Sequence, residues 1–189
     1  MLFSAESVTT RFKDMSNQLD EIGQGVNSQI ESSVQDLNSA AQHLVGLNQA
    51  IVNAKGMPGS QSNDLFDQRD QVLRDLSKVV KISVNEQDDQ VNVFIGNGQP
   101  LVTGSTAHQF KTQPSKTDSG RLEVVQDFGN QAGAPLSSQQ PVGGALGGLL
   151  AFRDQTLAPA QNALGLVAIG LASGIYLGAI QQRFSILTK

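Results

Sequence analysis

The acidic residues near position 88 have the types and spacing best suited to metal binding or to acid–base catalysis. Glu86, Asp88 and Asp89 lie close together in sequence, as in a calcium loop or a catalytic carboxylate pair. A calcium-binding EF-hand also requires several spaced oxygen ligands, an internal glycine and a terminal glutamate, and these are missing. Aspartate is common in tight turns because it tolerates left-handed backbone. The sequence therefore predicts that residues 87–90 form the exposed turn of a hairpin.

A glycine-rich run, residues 143–148 (GGALGG), is the second candidate, because it precedes an apolar helix as a phosphate-binding loop does. Such a loop needs a lysine followed by serine or threonine, and none follows here. Arg153 comes too late to replace that lysine. We interpret the glycines as residues that let the backbone turn and pack closely at the start of a helix.

The other reactive side chains form no recognisable constellation. His43 and His108 are far apart in sequence, and the chain has no cysteine, which excludes disulfides, thiolate zinc sites and cysteine nucleophiles. No serine lies in the sequence context of a nucleophile elbow. We therefore predict no catalytic residue, no metal ligand and no cofactor, and we expect that the protein is not an enzyme.

Composition indicates a core of aliphatic side chains. Hydrophobic residues make up 39% of the 189 residues and aromatic residues only 5%, which suits one compact domain or two small ones. The net charge of -4 provides no basic field for nucleic acid. The N-terminus lacks a basic segment followed by an apolar one, so a conventional secretory signal is not expected.

One long amphipathic helix is predicted over residues 8–51, where apolar residues recur every three or four positions. Between residues 12 and 26 these steps alternate as in a heptad repeat. A stripe this narrow is unstable alone and needs another helix along its length. Gly23 and Gly25 each cost about 1 kcal/mol in a helix, which predicts a bend or weak point there.

A second helix and a set of strands follow a predicted helix stop at residues 55–59. Asn63 is a suitable N-cap for a helix over residues 63–80, in which Asp70 can pair with Arg74. Its apolar side comprises Leu65, Val72, Leu73, Leu76 and Val80. The period then changes to two, which predicts one antiparallel meander with strands at residues 82–84, 91–95, 101–102, 108–111 and 122–125. Loops are predicted over residues 112–120 and 131–140.

A third helix is predicted to begin near Leu149, and Pro159 should kink it unless it lies in the first turn of a restarted helix. Its expected apolar side comprises Leu150, Leu157, Leu164, Val167 and Leu171. Residues 155–180 carry no charge, and Gly170, Gly174 and Gly178 are spaced as in close-packed membrane helices. The continuous apolar segment, residues 165–180, is shorter than the roughly 20 residues that a membrane-spanning helix needs, so a packed or assembly-forming helix is favoured.

Two segments resemble the flagellar hook-associated protein 1 (FlgK) family. They are residues 63–100 (NDLFDQRDQVLRDLSKVVKISVNEQDDQVNVFIGNGQP) and residues 143–163 (GGALGGLLAFRDQTLAPAQNA), and they occur in the family's order. The resemblance covers residues 12–171 in arrangement. It implies a non-catalytic structural protein that is exported unfolded by the flagellar secretion apparatus and polymerises as one ring between hook and filament.

The chain departs from the family pattern at both ends. It begins after the rod-like N-terminal segment of the family, and the family's continuation is lost beyond Leu171, where residues 177–184 look like part of the flagellin C-terminal helix. We therefore expect a mid-region fragment.

These observations predict an α+β fold that is elongated, with long antiparallel helices in a coiled-coil-like bundle and a small antiparallel β meander. Three regions are expected: a helical region (1–80), the meander with its loops (81–142) and a C-terminal helix that packs back on the first (143–189).

The predicted function is structural, at the junction between flagellar hook and filament. The alternative is a membrane-tethered coiled-coil interaction protein anchored by residues 164–180. The resemblance implies as partners the hook protein, the second hook-associated protein, other copies in a ring and an export chaperone. The net charge of -4 argues against nucleic acid, and a membrane is disfavoured as a partner. The expected location is the extracellular flagellum.

Overall fold

The computed structural model describes residues 2–55, 62–96, 98–129, 132–136 and 142–187. The chain divides into two compact units: unit 1 comprises Met1–Gly23 and Arg153–Lys189, and unit 2 comprises Gln24–Phe152. The helices are α1 (Leu2–Lys55), α2 (Ser62–Val79), α3 (Gly144–Phe152) and α4 (Ala158–Leu187), with a π-helical turn at Arg153–Leu157. The strands are β1 (Ile82–Gln87), β2 (Gln90–Ile95), β3 (Gln99–Thr103), β4 (Thr106–Ala107), β5 (Phe110–Pro114), β6 (Leu122–Asp127) and β7 (Ala132–Leu136). The α+β class predicted from sequence is confirmed.

The predicted long helix is confirmed as α1, which continues through Gly23 and Gly25 without interruption. Within unit 2 its apolar stripe forms one wall of the core, with Ile30, Leu37 and Leu44 fully buried. The predicted stop falls mainly on residues 56–59, which lie outside the described residues.

Helix α2 packs its apolar side into the same core, as the spacing predicts. Leu76 and Val80 are buried, and Val72 and Leu73 are partly buried against the core. The helix begins at Ser62, so Asn63 lies inside it rather than capping it. The predicted pairing of Arg74 with Asp70 is wrong, because the Arg74 guanidinium donates instead to Gln71 Oε1 at 2.9 Å.

The strands form two antiparallel sheets rather than the single predicted meander. Strands β1–β4 make one sheet in chain order, and β5–β7 make the other. The first sheet ends with the two-residue strand β4, which pairs with β3. Strand β5 pairs with β6 in the second sheet. Strand β7 lies where a loop was predicted. Its sequence, AGAPL, has weak strand propensity, and its pairing with β6 determines its conformation.

The third helical segment begins five residues before the predicted start at Leu149. Gly143 and Gly144 have φ angles of 62° and 61°, and the Gly147 N–H donates to the Gly143 carbonyl at 2.9 Å, so the turn leads directly into α3. The π-helical turn joins α3 to α4 without a break, and Pro159 follows this turn as the second residue of α4.

The core of unit 2 joins α1, α2 and α3 to the inner faces of the strands. Its largest fully buried side chains include Phe110, Ile95, Leu101, Leu146 and Leu150. Phe110 is the one aromatic residue among the buried core residues of the described chain, in keeping with the composition. The division of the sequence into regions 1–80, 81–142 and 143–189 stays a prediction.

Candidate assembly surface

The acidic residues near position 88 lie where the sequence predicts them, at the tip of the β1–β2 hairpin. Asp88 and Asp89 form a two-residue loop with φ angles of 53° and 63°. Among the described residues, no group of three or more His, Cys, Asp or Glu side chains is arranged to hold a metal ion. His43 is exposed on α1, and His108 Nε2 lies 2.9 Å from Thr103 Oγ1.

A buried arginine of α2 binds this hairpin and pairs with the carboxylate of Glu86. Arg69 is 6% exposed; its Nη1 donates to the Asp89 carbonyl at 3.0 Å and its Nη2 to Glu86 Oε1 at 2.9 Å. The guanidinium also lies over the Phe66 ring, 5.0 Å from its centroid. Glu86 and Asp89 thus serve to attach the hairpin to α2.

The glycine-rich run permits close backbone packing, as predicted. A Cβ atom on Gly144 would lie 2.5 Å from the Val79 carbonyl carbon and oxygen, and one on Gly143 would lie 2.7 Å from Lys81 Cβ. The Lys81 N–H donates to the Val142 carbonyl at 2.7 Å, which fixes the same approach. These glycines therefore let the start of α3 pack against the end of α2.

Asn48, a residue that sequence reasoning missed, connects α1 to the first sheet. It is fully buried, and its Nδ2 donates to the carbonyls of Val91 at 3.0 Å and Gly104 at 2.9 Å. Its Oδ1 accepts from the Val91 N–H at 3.1 Å. The amide therefore supplies the backbone bonds that β3 does not provide at this end of β2.

Two further asparagines of α1 make similar bonds to the second sheet. Asn38 Nδ2 donates to the Phe110 carbonyl at 2.7 Å, and Asn38 Oδ1 accepts from the Phe110 N–H at 2.9 Å. Asn27 donates to the Gly120 carbonyl at 2.8 Å and accepts from the Leu122 N–H at 3.4 Å. Both sheets are thus attached to α1 through side-chain amides as well as through the apolar core.

Charge at the edge of the second sheet is arranged to hold β5 to β6. Lys111 Nζ lies 2.8 Å from Asp127 Oδ1, which also accepts from the Gly129 N–H at 3.0 Å. The hydrogen bond from Lys111, followed by that from Gly129, lowers the pKa of the Asp127 carboxyl below its usual value.

Unit 1 contains an antiparallel helix pair, formed by residues 2–23 of α1 and by α4. A Cβ atom on Gly23 would lie 3.6 Å from Leu157 Cδ2, and Gln161 Nε2 donates to Asp20 Oδ1 at 3.3 Å. A groove of about 540 Å³ continues along the pair, lined by Phe12, Met15, Gln18, Leu19, Ile22, Ala160, Ala163, Leu164 and Val167. From the first of these contacts to the second, the residue number falls along α1 and rises along α4, so the two helices run in opposite directions.

Within unit 1, about half of the apolar residues of the α1 heptad stripe are exposed to solvent. Phe12 and Leu19 are partly buried, but Val8, Met15 and Ile22, seven residues apart, are 42%, 53% and 40% exposed. On α4 the expected burial of Val167 and Leu171 is wrong, since they are 53% and 43% exposed. Residues 163–172 of α4 are all apolar, and among the described residues of this unit the helix packs against the short α1 segment.

We call two rows of residues together the open face. The α1 row is Val8, Met15 and Ile22, and the α4 row is Ala163, Val167, Gly170 and Gly174. In soluble proteins, large contiguous apolar patches on the surface are a feature of interaction sites. The segment Gly144–Gly174 is also long and apolar enough to cross a membrane by length and composition, which is weak evidence because many packed helices pass the same test.

These features describe an α+β body whose first unit carries an exposed apolar surface. Residues 1–175 match the family model described as the flagellar hook-associated protein FlgK helical domain. Flagellar hook-associated protein 1 of Salmonella typhimurium is 36% identical over 176 residues, and that of Escherichia coli is 33% identical over 174. Each alignment covers 91% of this chain and 32% of the relative.

Comparison with a solved structure points to the same family. The flagellar hook junction protein FlgK from Burkholderia pseudomallei superposes with a TM-score of 0.81 at 35% identity, over 90% of this chain and 31% of that one. The chain belongs to the FlgK family of flagellar hook-associated proteins, which confirms the resemblance seen in the sequence. It spans about a third of the length of these relatives.

Proposed function

We propose that this chain is a structural component of the bacterial flagellum at the junction between hook and filament, and that it has no catalytic activity. The observation that carries the proposal is the family match over residues 1–175, together with the likeness to a solved hook junction protein over 90% of the chain. The open face supports an assembly role, because an apolar surface of unit 1 is left for another protein segment to cover.

The proposed partners are other axial proteins: the hook protein, the second hook-associated protein and further copies in a ring, with an export chaperone before assembly. The proposed location is the extracellular flagellum, reached by flagellar export. Unit 2 offers a rigid body for such a role, since its two sheets are joined to α1 by buried apolar side chains and by asparagine amides.

Deletion of the gene in its native flagellated bacterium tests the proposal. We expect hooks without filaments by electron microscopy and flagellin released as monomer into the culture supernatant. Restoring the gene on a plasmid should restore the filaments, which controls for effects on neighbouring genes. Normal motile filaments in the deletion strain would contradict the junction role.

A further inference from the structure

We propose that the outer edge of strand β1 is a docking site for an extended basic segment of another protein, which adds to the first sheet as a further strand. In this sheet β1 has a neighbour, β2, on one side only, so its other side faces away from the sheet. The inference goes beyond the proposed function, which assigns no surface of unit 2 to a partner.

The backbone groups on the outer edge of β1 follow from the geometry of the β1–β2 hairpin. Gln87 and Gln90 flank a two-residue loop, so they form a hydrogen-bonded pair. Bonded and non-bonded pairs alternate in an antiparallel ladder, which turns the N–H and C=O groups of Ile82, Val84 and Glu86 away from β2. Within the part of the chain that the structure describes, no group bonds to the outward backbone of Val84 or Glu86. The side chains of both residues are exposed, so the backbone of a partner can reach this edge.

The other three edges of the two described sheets are each protected against such pairing. Strand β4 has only two residues, and β7 contains Pro135, which has no N–H to donate. On β5 the Asn38 amide bonds to the N–H and C=O of Phe110, and the strand ends at Pro114. Short strands, prolines and covered backbone are the usual protection of sheet edges. Strand β1 has six residues in unbroken register and no proline, so its edge remains able to pair.

A charged side chain on an edge strand also opposes pairing, but the charge on β1 already has a partner. Arg69 Nη2 lies 2.9 Å from Glu86 Oε1, and Arg69 Nη1 donates to the Asp89 carbonyl at 3.0 Å. These contacts attach the tip of the hairpin to α2. A strand that is held in place before binding loses little conformational entropy when a partner strand is added.

The charge of the hairpin tip favours a basic partner. Three carboxylates, those of Glu86, Asp88 and Asp89, lie at the tip, whereas Arg69 brings one positive charge to them. A lysine or arginine of the added segment, level with the tip, neutralises the remaining negative charge. Val84 is 45% exposed and offers an apolar contact to a β-branched residue of the same segment. The edge therefore fits an extended segment with a β-branched centre and a basic end.

Amide hydrogen exchange of the full chain, measured by NMR, tests the inference. In the free chain we expect the outward Val84 N–H to exchange at least tenfold faster than the Asn85 N–H, which bonds to β2. The probe is a short synthetic peptide of alternating threonine and valine with lysine at both ends. At saturation it should slow exchange of the Val84 and Glu86 N–H groups at least tenfold and leave that of Phe110 unchanged.

Two control peptides separate backbone pairing from charge. The first carries N-methyl groups on alternate backbone nitrogens, on the edge that would face β1, and it should bind at least tenfold more weakly because it cannot donate to the strand. The second has glutamate in place of lysine, and the acidic tip should weaken its binding to a similar extent.

Variants of the chain provide the matched comparison. Val84→Pro removes an outward N–H without removing a bond to β2, so it should weaken binding of the lysine peptide at least tenfold. Val84→Thr keeps that N–H and should bind within about twofold of the wild type. Asp88→Asn retains a residue that tolerates the left-handed turn, and it should weaken binding several-fold at low salt. Circular dichroism establishes that each variant is folded, and the N-methylated peptide tests the same bonds without altering the chain.

Slow exchange of the Val84 N–H in the free chain at every concentration would overturn the inference, because the edge would then be covered already. Absence of protection by the lysine peptide would overturn it, as would equal binding of the N-methylated peptide. Protection of Val84 that rises with chain concentration, without peptide, would overturn it by assigning the edge to a second copy. None of these outcomes alters the expected deletion phenotype, so failure here is distinct from failure of the junction role.

Discussion

At the scale of single residues, side-chain amides complete the backbone hydrogen bonding of the strands. Buried N–H and C=O groups need partners, and where a neighbouring strand ends too early something else must supply them. Asn38 and Asn48 do so by donating and accepting at one strand residue each. Each amide thereby imitates one residue of an adjacent strand.

This role was not predictable from the sequence. Asn27, Asn38 and Asn48 lie in a helix that has many polar residues, and most asparagines at such positions are solvated. Helical periodicity identifies which residues face the core, as it did for Ile30 and Leu37, but it does not identify the backbone groups that a polar neighbour will meet.

Replacement of Asn48 by alanine should destabilise the protein by about 3 kcal/mol, because it leaves the buried backbone groups of Val91 and Gly104 without partners. The measurement is the free energy of unfolding from urea titration. Asn53→Ala on the exposed side of the same helix is the control and should change stability by less than about 0.5 kcal/mol. Equal effects of the two substitutions would mean that the Asn48 bonds contribute no net stability.

At the scale of elements, the period of the apolar pattern correctly predicted the helices and most strands. The grouping of strands into sheets was wrong, because sequence alone does not show that the chain leaves the first sheet after β4. Strand β7 was missed for a related reason: its five residues take their extended form from pairing with β6 and not from their own propensity.

The β1–β2 hairpin depends on the left-handed conformation of its turn. Asp88 has a φ of 53°, which valine tolerates poorly, so Asp88→Val should destabilise the protein by about 1–2 kcal/mol. Asn85→Val, three residues earlier on an exposed position of β1, should be neutral or stabilising because valine favours strands. Thermal unfolding of both variants under identical conditions gives the comparison. A similar loss for both would mean that the turn conformation does not limit the residue type.

The start of α3 depends on the absence of a side chain at one glycine. Gly144→Ala should destabilise the protein by about 2–4 kcal/mol, since its Cβ would overlap the Val79 backbone and its φ is 61°. Gly148→Ala in the same helix meets no atom within 4 Å and should stabilise by about 0.5–1 kcal/mol. Urea unfolding of the two variants should therefore give opposite signs. A stabilising Gly144→Ala would show that the close approach is absent in solution.

At the scale of the whole molecule, the apolar stripe of α1 contributes to two compact units. The boundary between the units falls at Gly23, where the sequence predicts a weak point, but the apolar stripe itself continues past this glycine and does not show that the residues on either side belong to different units. Burial distinguishes them: Val26, Ile30 and Val34 are buried in unit 2, whereas Val8, Met15 and Ile22 in unit 1 are at least 40% exposed. The exposure of Val8, Met15 and Ile22 was missed because periodicity predicts an apolar stripe but not how much of it is covered.

Aspartate at two positions of this stripe should therefore have different effects. Ile30 is fully buried, so Ile30→Asp should cost more than about 4 kcal/mol and remove the hydrogen-exchange protection of strands β1–β6. Leu19 is partly buried in unit 1, so Leu19→Asp should reduce protection over residues 158–174 and leave the strands protected. The double variant should show no cooperative thermal transition.

Hydrogen exchange followed by mass spectrometry resolves these segments in one experiment. Met15→Asp is the control for Leu19→Asp, because Met15 is 53% exposed and its substitution should reduce protection of α4 less. Loss of strand protection in Leu19→Asp would mean that the two units unfold as one. Retained protection of the strands in Ile30→Asp would contradict the core, since a charged side chain at a fully buried position has no water to solvate it and no partner to neutralise it.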